Sequence, residues 1–597
     1  VSLEVIRRAV PATRLAADLH PVLQRVYAAR GVRDATELAL ALRDLLPVST
    51  LSGVQAAAEL LLRHRLQGGR VLIIGDFDAD GATSTAVLVR ALRSWGFPAV
   101  DFLVPNRFEF GYGLTPEIVA LAATRAPSLI VTVDNGISSH AGVSAARAAG
   151  IEVLITDHHL PTETLPAANV IVNPNVPGSG FASRALAGVG VAFYVAAALR
   201  RRLEEQGLLP PQALPCAMLL DLVALGTVAD VVPFDVNNRI LVEQGLRRIR
   251  AGRCVPGIRA LLELARRTQE QVVASDLGFA VAPRLNAAGR LTDMSIGIRC
   301  LLTDEESEAR SLAQELDRLN AERRQIESRM QAEALAAVRV LRDPDSGVVR
   351  SGVCLFDEAW HQGVVGLVAS RVKERLRRPV IAFARADERR LRGSARSVPG
   401  VHIRDVLDAL AAREPQLIEK FGGHAMAAGL TVSFEHLDAF ARAFDAQCAQ
   451  ALAARGSPDV IETDGELSAE ELALPTAQAL RNGGPWGPGF PEPLFDGVFQ
   501  IGQARWIAER HLKLTLAAPE GRGGFDAIAF NFADAGPAPG VSATSAANAA
   551  GTGAARSAAA SEAALPGGKV RLVYRLDSNE YQGERRLQVI VEHLMRA

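Results

Sequence analysis

Cysteine and lysine are both scarce in this chain of 597 residues. The five cysteines, Cys216, Cys254, Cys300, Cys354 and Cys448, are isolated, with no C-x-x-C pair. That excludes a zinc ribbon and a disulfide framework and suits a reducing, cytoplasmic setting. The only lysines are Lys373, Lys420, Lys513 and Lys569, so basic charge is carried by arginine; with alanine so abundant, this reflects genomic composition rather than function. Aromatic residues make up 5%. No charge-free apolar run reaches the roughly 18 residues of a membrane helix, and charges throughout residues 1–32 leave no apolar core for a secretory signal. A formal net charge of −1 excludes a uniformly cationic nucleic-acid coat while leaving room for a local basic groove. Neither G-x-G-x-x-G nor G-x-x-x-x-G-K-[ST] follows the first strong strand, so no ATP requirement is expected.

What is present is enough apolar residue, 49%, for several cores. Between 70 and 175, β-branched runs (71–75, 129–133, 152–156 and 169–173) alternate with alanine-rich helical stretches, the pattern of a parallel sheet. Residues 185–275 read as mostly helical, with a break at 227–235. Residues 304–341 lack Gly and Pro and repeat apolar residues at helical spacing, which predicts a single helix of roughly 55–60 Å at 1.5 Å per residue. A smaller α/β pattern follows, and beyond 460 short runs separated by turns predict a β-barrel. The small-residue tract at 533–568 cannot build a core and reads as a disordered loop.

Three apolar strands run straight into acidic or imidazole groups: Asp76, Asp78 and Asp80 after the first, Asp134 after the second, and Asp157, His158 and His159 after the third. Ligands of open α/β sheets bind outside the carboxyl ends of the strands, so these groups should share one crevice. So many carboxylates repel one another unless cations lie between them. A mixed Asp and His donor set favours Mn²⁺ or Mg²⁺ over Ca²⁺. The run from Asp76 to Gly81 also opens like an EF-hand loop, but its twelfth position is Val87 and no helix enters it. Helix capping would explain any one of these aspartates alone. Asp157 suits orienting an imidazole better than ligation.

The motifs Asp78-Ala79-Asp80-Gly81, Asp134-Asn135-Gly136, Asp157-His158-His159 and the GTVAD run ending at Asp230 resemble those of the DHH phosphoesterase family. Further runs at 105–113, 283–290, 360–371, 393–397 and 422–429 resemble its branch of single-strand-specific 5′ to 3′ DNA exonucleases over essentially the whole chain. The resemblance implies a multidomain α/β protein. Its parts would be an N-terminal helical segment (1–50), a DHH catalytic domain with a parallel sheet (51–300), a long connecting helix (301–345), a smaller α/β DHHA1 substrate domain (346–455) and a C-terminal β-barrel of OB fold (456–597). Other DHH branches carry a His four residues before the first paired aspartate; here that position is Ile74, and Asp76 would compensate.

By the same resemblance, Asp76, Asp78, Asp80, Asp134, His158 and Asp230 would hold two divalent ions, Mn²⁺ or Mg²⁺, with Asp134 bridging. His159 would donate to a phosphate oxygen, protonate the leaving oxygen, or only orient its neighbours. Arg107, Asn286 and Arg290 are candidates for the DNA backbone, although Asn286 could equally brace a loop. Ser394 and Arg396 are candidates for the 5′ end, and His424 for a second phosphate-cradling turn. Residues 361–404 hold eleven Arg or Lys against three acids, a basic stretch of which at least half would merely solvate a helix. Trp506 and Tyr581 could stack bases or fill the barrel core. Single-stranded DNA is the expected substrate, with a single-strand-binding protein and a repair helicase implied as partners and no membrane. The alternatives are a phosphodiesterase for short oligonucleotides or cyclic dinucleotides, and a noncatalytic nucleic-acid scaffold.

Overall fold

The computed structural model describes residues 3–15, 19–106, 113–340, 350–454, 459–508, 510–517, 524–532, 568–581 and 584–596. The chain divides into two compact units. One comprises Pro11–Ala321 with Ala479–Glu492; the other comprises Val1–Val10, Glu322–Gln478 and Pro493–Ala597. The chain opens on strand β1 (Leu3–Arg7), which belongs to the second of these.

The first unit is built on five parallel strands: β2 (Arg70–Gly75), β3 (Ala99–Leu103), β4 (Leu129–Val133), β5 (Glu152–Thr156) and β6 (Val170–Val172). Their spatial order is β3-β2-β4-β5-β6. β3 lies on one side of β2 and the later strands on the other, so the winding reverses between β2 and β4, the position at which doubly wound sheets bind ligands. The central strands are buried on both faces, which is why they read as continuous apolar runs rather than alternating ones. Leu72, Ile74, Ile130, Val153 and Ile155 pack with Ile118 and Val143 in one apolar core of the sheet. Helices Gly188–Glu205, Leu220–Ala229, Val236–Arg250 and Pro256–Leu264 follow; the break predicted at 227–235 is confined to 230–235, because 227–229 complete the preceding helix. The predicted long helix runs from Glu306 to Val340.

The second unit holds a mixed sheet of β7 (Val353–Phe356), β8 (Val380–Arg385), β9 (Arg390–Arg396), β10 (Lys420–Gly423) and β11 (Ala427–Ser433), ordered β10-β11-β9-β8-β7. Strand β12 (Asp459–Thr463) pairs in parallel with β1, so the first residues form a strand where a helical segment was expected. The partner lies more than four hundred positions away and leaves no local signal. Strands β13 (Phe495–Ile507), β14 (His511–Ala517), β15 (Gly524–Ala529), β16 (Lys569–Tyr581) and β17 (Glu584–Arg596) close a barrel in the order β13-β14-β15-β17-β16. That is the five-stranded Greek-key connectivity expected of an OB fold. Within the tract expected to be a loop, residues 533–567 lie outside the described residues.

Asp496 ties β1, β12 and the barrel together. Its side chain is 1% exposed and accepts from Arg7 Nε at 3.0 Å, Thr463 Oγ1 at 2.7 Å and Arg571 Nη2 at 2.9 Å. Burial would raise its pKa, but these hydrogen bonds outweigh burial and hold it at about 2. The carboxyl titrates lower when folded, so its stabilisation is complete above about pH 4 and is lost as pH falls toward 2. We expect Asp496→Asn to destabilise by about 2 kcal/mol near neutrality, below the value for a fully buried pair because Arg7 is half exposed. Thermal melts at pH 7 and pH 3 should show the gap to wild type narrowing in acid; an equal gap at both would contradict this.

Candidate metal centre and phosphate site

Every sequence-selected carboxylate and imidazole of the first unit lies at the carboxyl edge of its sheet. Asp78 caps helix Ala79–Ser94, its Oδ1 accepting from Gly81 N at 3.0 Å. The capping reading thus holds for Asp78, but capping occupies only part of its carboxylate. Asp80, in the first turn, is buried and accepts from Gly188 N at 2.6 Å and Val189 N at 2.9 Å, the first amides of helix Gly188–Glu205. Asp134 ends β4 at φ +61°, a left-handed conformation that turns its side chain out of the strand. The next residue holds this turn: Asn135 Nδ2 donates to Ile74 O at 3.1 Å and Val133 O at 2.8 Å, joining the ends of β2 and β4.

Asp230 and the two histidines complete the cluster. His158 Nε2 lies 3.1 Å from Asp134 Oδ1 and 3.5 Å from Asp230 Oδ2. His158 Nε2 and Asp230 Oδ2 are buried yet make no hydrogen bond. Asp157 does not point into this space. It accepts from Ile137 N at 2.9 Å, His158 N at 2.7 Å and His159 Nδ1 at 2.8 Å. Its carboxylate is thus spent on backbone amides and the His159 ring. Asn175 Nδ2 donates to His158 O at 2.6 Å and Asn173 Nδ2 to His159 O at 2.9 Å.

Burial and like charge decide the electrostatics. Burial, then the neighbouring carboxylates, push Asp80 and Asp134 well above the ordinary range. Asp230 rises chiefly through burial, with His158 opposing. Asp157 is equally buried but its donors, His159 first, bring it down. Burial holds His158 down, whereas the hydrogen bond to Asp157 overcomes burial of His159 and raises it to about 9.

Three trios bring their ligand atoms within 4.8 Å: Asp134 with His158 and His159, Asp80 with His158 and Asp230, and Asp76 with Asp78 and Asp134. Asp134 and His158 are shared between trios. Uncompensated carboxylates and a buried imidazole nitrogen without a hydrogen bond fit hard divalent cations of the Mn²⁺ or Mg²⁺ type.

The other candidates divide. Asn286 Oδ1 accepts from Ala79 N at 2.8 Å, so that oxygen braces the metal loop. Arg290 is half-buried on helix Ala282–Leu291, and Arg107 lies outside the described residues. In the second unit, Ser394 and Arg396 share one face of β9, with Arg396 Nη1 2.9 Å from Ser394 Oγ. A side chain at Gly366, in the first turn of helix Val365–Leu376, would meet both, at 2.9 Å from each. A guanidinium and a hydroxyl thus meet beside a helix start whose Val365 and Leu367 amides are already given to His361 O and Val364 O, and it is the guanidinium and hydroxyl that suit an anion. His424 is exposed in the β10–β11 turn, beside Gly422 and Gly429, whose neighbourhoods are open. Much of the basic stretch is neutralised: Arg371 by Glu327 and Glu374, Arg385 by Glu358, and Arg390 by Asp387. In the barrel, Trp506 is half-buried with its ring 6.1 Å from that of Phe532. The Tyr581 side chain lies outside the described residues.

Sequence reasoning missed Asn173, Asn175 and Gly188. The asparagines follow β6, a fourth strand end, and the same rule would have reached them. A side chain on Gly188 would lie 2.7 Å from Asp134 Cβ, a constraint that only the folded chain reveals.

A buried carboxylate and imidazole cluster at the reversal point of a parallel sheet defines a phosphoesterase-type metal centre. Family models agree: the DHH family N-terminal domain matches residues 70–227, the DHHA1 domain 346–450 and the RecJ OB domain 463–593. The single-stranded-DNA-specific exonuclease RecJ of Dickeya dadantii is 51% identical over 597 residues, covering 100% of this chain and 99% of its own length. RecJ from Thermus thermophilus in complex with Mn²⁺ superposes with TM-score 0.78 at 31% identity, over 100% of this chain and 80% of that one. The same protein with Mg²⁺ gives 0.72 at 29% identity, over 100% and 79%. The chain belongs to the RecJ family.

Removing one of the crowded charges should relieve repulsion in the metal-free protein and weaken metal binding together. We expect Asp134→Asn to melt higher than wild type in chelator and to lose the rise of several degrees that wild type shows with excess Mn²⁺, which follows from binding to the folded state alone (about 3 kcal/mol at a hundredfold excess over Kd). A Mn²⁺ shift equal to that of wild type would remove Asp134 from the metal set.

Proposed function

We propose that this protein is a metal-dependent exonuclease that degrades single-stranded DNA from the 5′ end, hydrolysing phosphodiesters and releasing 5′-mononucleotides in DNA recombination and repair. The carrying observation is the buried cluster of Asp80, Asp134, His158 and Asp230 at the sheet's reversal point, which needs cations to offset its charge. Asp76, Asp78, Asp80, Asp134, His158 and Asp230 would hold two divalent ions, shared through Asp134. The ions supply a water of lowered pKa and neutralise charge on the phosphodiester.

The residues of the chain then have separate tasks. Asp157 would orient the His159 imidazole through Nδ1 and hold the His158 backbone through its amide. His159, oriented through Nδ1 by Asp157, would donate from Nε2 to a phosphate oxygen or to the departing 5′ oxygen. Asn286 supports the loop bearing Asp78 and Asp80. Ser394 and Arg396 would receive the terminal 5′-phosphate, with His424 and the open glycine floor beside it admitting the sugar-phosphate backbone closely. Arg290 and Arg107 would add backbone contacts, and the barrel a further platform for the strand. The family resemblance supports a single-strand-binding protein and a repair helicase as partners. Among the described residues no single helix is long and apolar enough to cross a membrane. Five free cysteines support a cytoplasmic setting.

A time course on strands labelled separately at each end, with Mn²⁺ or chelator and with a matched duplex, tests the reading. Metal-dependent release of mononucleotides from the 5′ end of the single strand is expected. Cleavage only of oligomers a few nucleotides long would place the chain with small-substrate phosphodiesterases, and binding without shortening would make it a scaffold. Asp134→Ala should abolish cleavage, by at least about a thousandfold, and leave strand binding largely intact; undiminished turnover would sink the assignment. Arg396→Ala should weaken the preference for a 5′-phosphate by about tenfold, the scale of one charge-assisted hydrogen bond. An unchanged preference would remove Arg396 from the end pocket.

A further inference from the structure

Phe279 is 84% exposed, the most exposed of the large apolar side chains among the described residues. Scattered surface leucines need no explanation, but a bare phenyl ring on a distorted helix is a different matter. Phe279 sits at the centre of a π-helical turn, Leu277–Val281, wound between Ala274–Asp276 and helix Ala282–Leu291. Such turns are less favourable than α-helix and concentrate at functional sites, where they re-aim a side chain. Here Leu277, Ala280 and Val281 are buried while Phe279 alone is turned outward.

The turn is anchored to the metal centre on two sides. A Cβ on Gly278 would stand 3.1 Å from Val228, in the last turn of helix Leu220–Ala229, which delivers Asp230. The helix that follows the turn carries Asn286, which accepts from Ala79 N in the metal loop. Val231, directly after Asp230, is itself 65% exposed and held at φ +64°. Of the two residues in that contact, Gly278 is directly followed by the exposed Phe279 and Val228 is three positions before the exposed Val231, on the segment that carries Asp230.

Resting on the exonuclease reading above, we propose that Phe279 is a base-stacking residue: its ring receives a nucleobase of the single strand close to the scissile phosphate, with Val231 as the apolar edge of the platform. A single strand offers unpaired π faces, and an aromatic ring binds any of them without sequence preference. A duplex keeps those faces stacked on each other, so the same ring also favours the single strand. The phosphate is gripped by charge at the metal centre, and the base by apolar contact a short distance away. The exposed ring makes no contribution to the core, which leaves the fold indifferent to its removal.

The test uses the full chain loaded with Mn²⁺, comparing wild type, Phe279→Ala and Phe279→Trp on a single strand and on the same strand carrying abasic residues. Phe279→Ala should raise KM about tenfold on the normal strand with kcat nearly unchanged, and Phe279→Trp should restore it. Wild type on the abasic strand should show the raised KM, with no further loss in Phe279→Ala. An unchanged KM for Phe279→Ala, or an equal loss on both strands, overturns the stacking role. So does a change in sedimentation mass without a change in KM, which would make this face a contact between copies of the chain. If wild type shortens no single strand at all, the exonuclease reading fails and the stacking role fails with it.

Discussion

Mutual repulsion among buried carboxylates at one end of the parallel sheet is the constraint on which the site depends. Asp80, Asp134 and Asp230 lie within reach of the same imidazole, and their raised pKa values record what burial and like charge do when donors are too few. Asp157 is just as buried and goes the other way, because amide and imidazole N–H groups surround it. The difference between the two kinds of aspartate is a count of donors rather than depth. Carboxylates supplied with donors orient their neighbours, and those short of donors call for cations. Asp80 is intermediate: two helix-start amides hold it, yet burial and then the adjacent carboxylates outweigh them.

The second unit solves an electrostatic problem of opposite sign by different means. Several of its arginines are paired, through Glu327, Glu358 and Asp387, whereas Arg396 lies against Ser394 where β9 meets a helix start. Asp496 shows how a carboxylate can be buried without a metal. Three donors from residues 7, 463 and 571 gather on it, converting segments distant in sequence into one structural joint. A buried acid with converging arginines stabilises a fold, whereas a buried acid facing other acids marks a site.

The strands of the first sheet were legible because burial on both faces demands unbroken β-branched runs, and 129–133 and 152–156 match β4 and β5 residue for residue. The metal residues were legible for a related reason: a charged group directly after such a run must lie at the carboxyl edge. The long helix and the barrel were legible from periodicity and turn spacing. What escaped has no side-chain signature. Gly188 acts through a backbone N–H and through the space that its missing side chain leaves beside Asp134. The strand character of β1 depends on a partner at 459–463 that no local window contains. The basic stretch at 361–404 looked more cationic than it is because Glu327 and Glu358 pair with its arginines in space, Glu327 from well outside it in sequence. Asn286 kept its two readings open until a single distance, 2.8 Å to Ala79 N, assigned its oxygen to the loop.

The adjacent histidines show how far backbone geometry alone can divide labour. His158 and His159 are chemically identical, and their rings lie 4.4 Å apart. Yet Asn175 holds the first carbonyl and Asn173 the second, fixing the chain so that the rings face different partners. His158 Nε2 is aimed between Asp134 and Asp230 at 3.1 and 3.5 Å without forming a hydrogen bond, which is the posture of a ligand. His159 commits Nδ1 to Asp157 at 2.8 Å, and that hydrogen bond overcomes burial and raises its pKa to about 9. Two side chains of one chemistry thus acquire different surroundings from two backbone carbonyls, each held by its own asparagine.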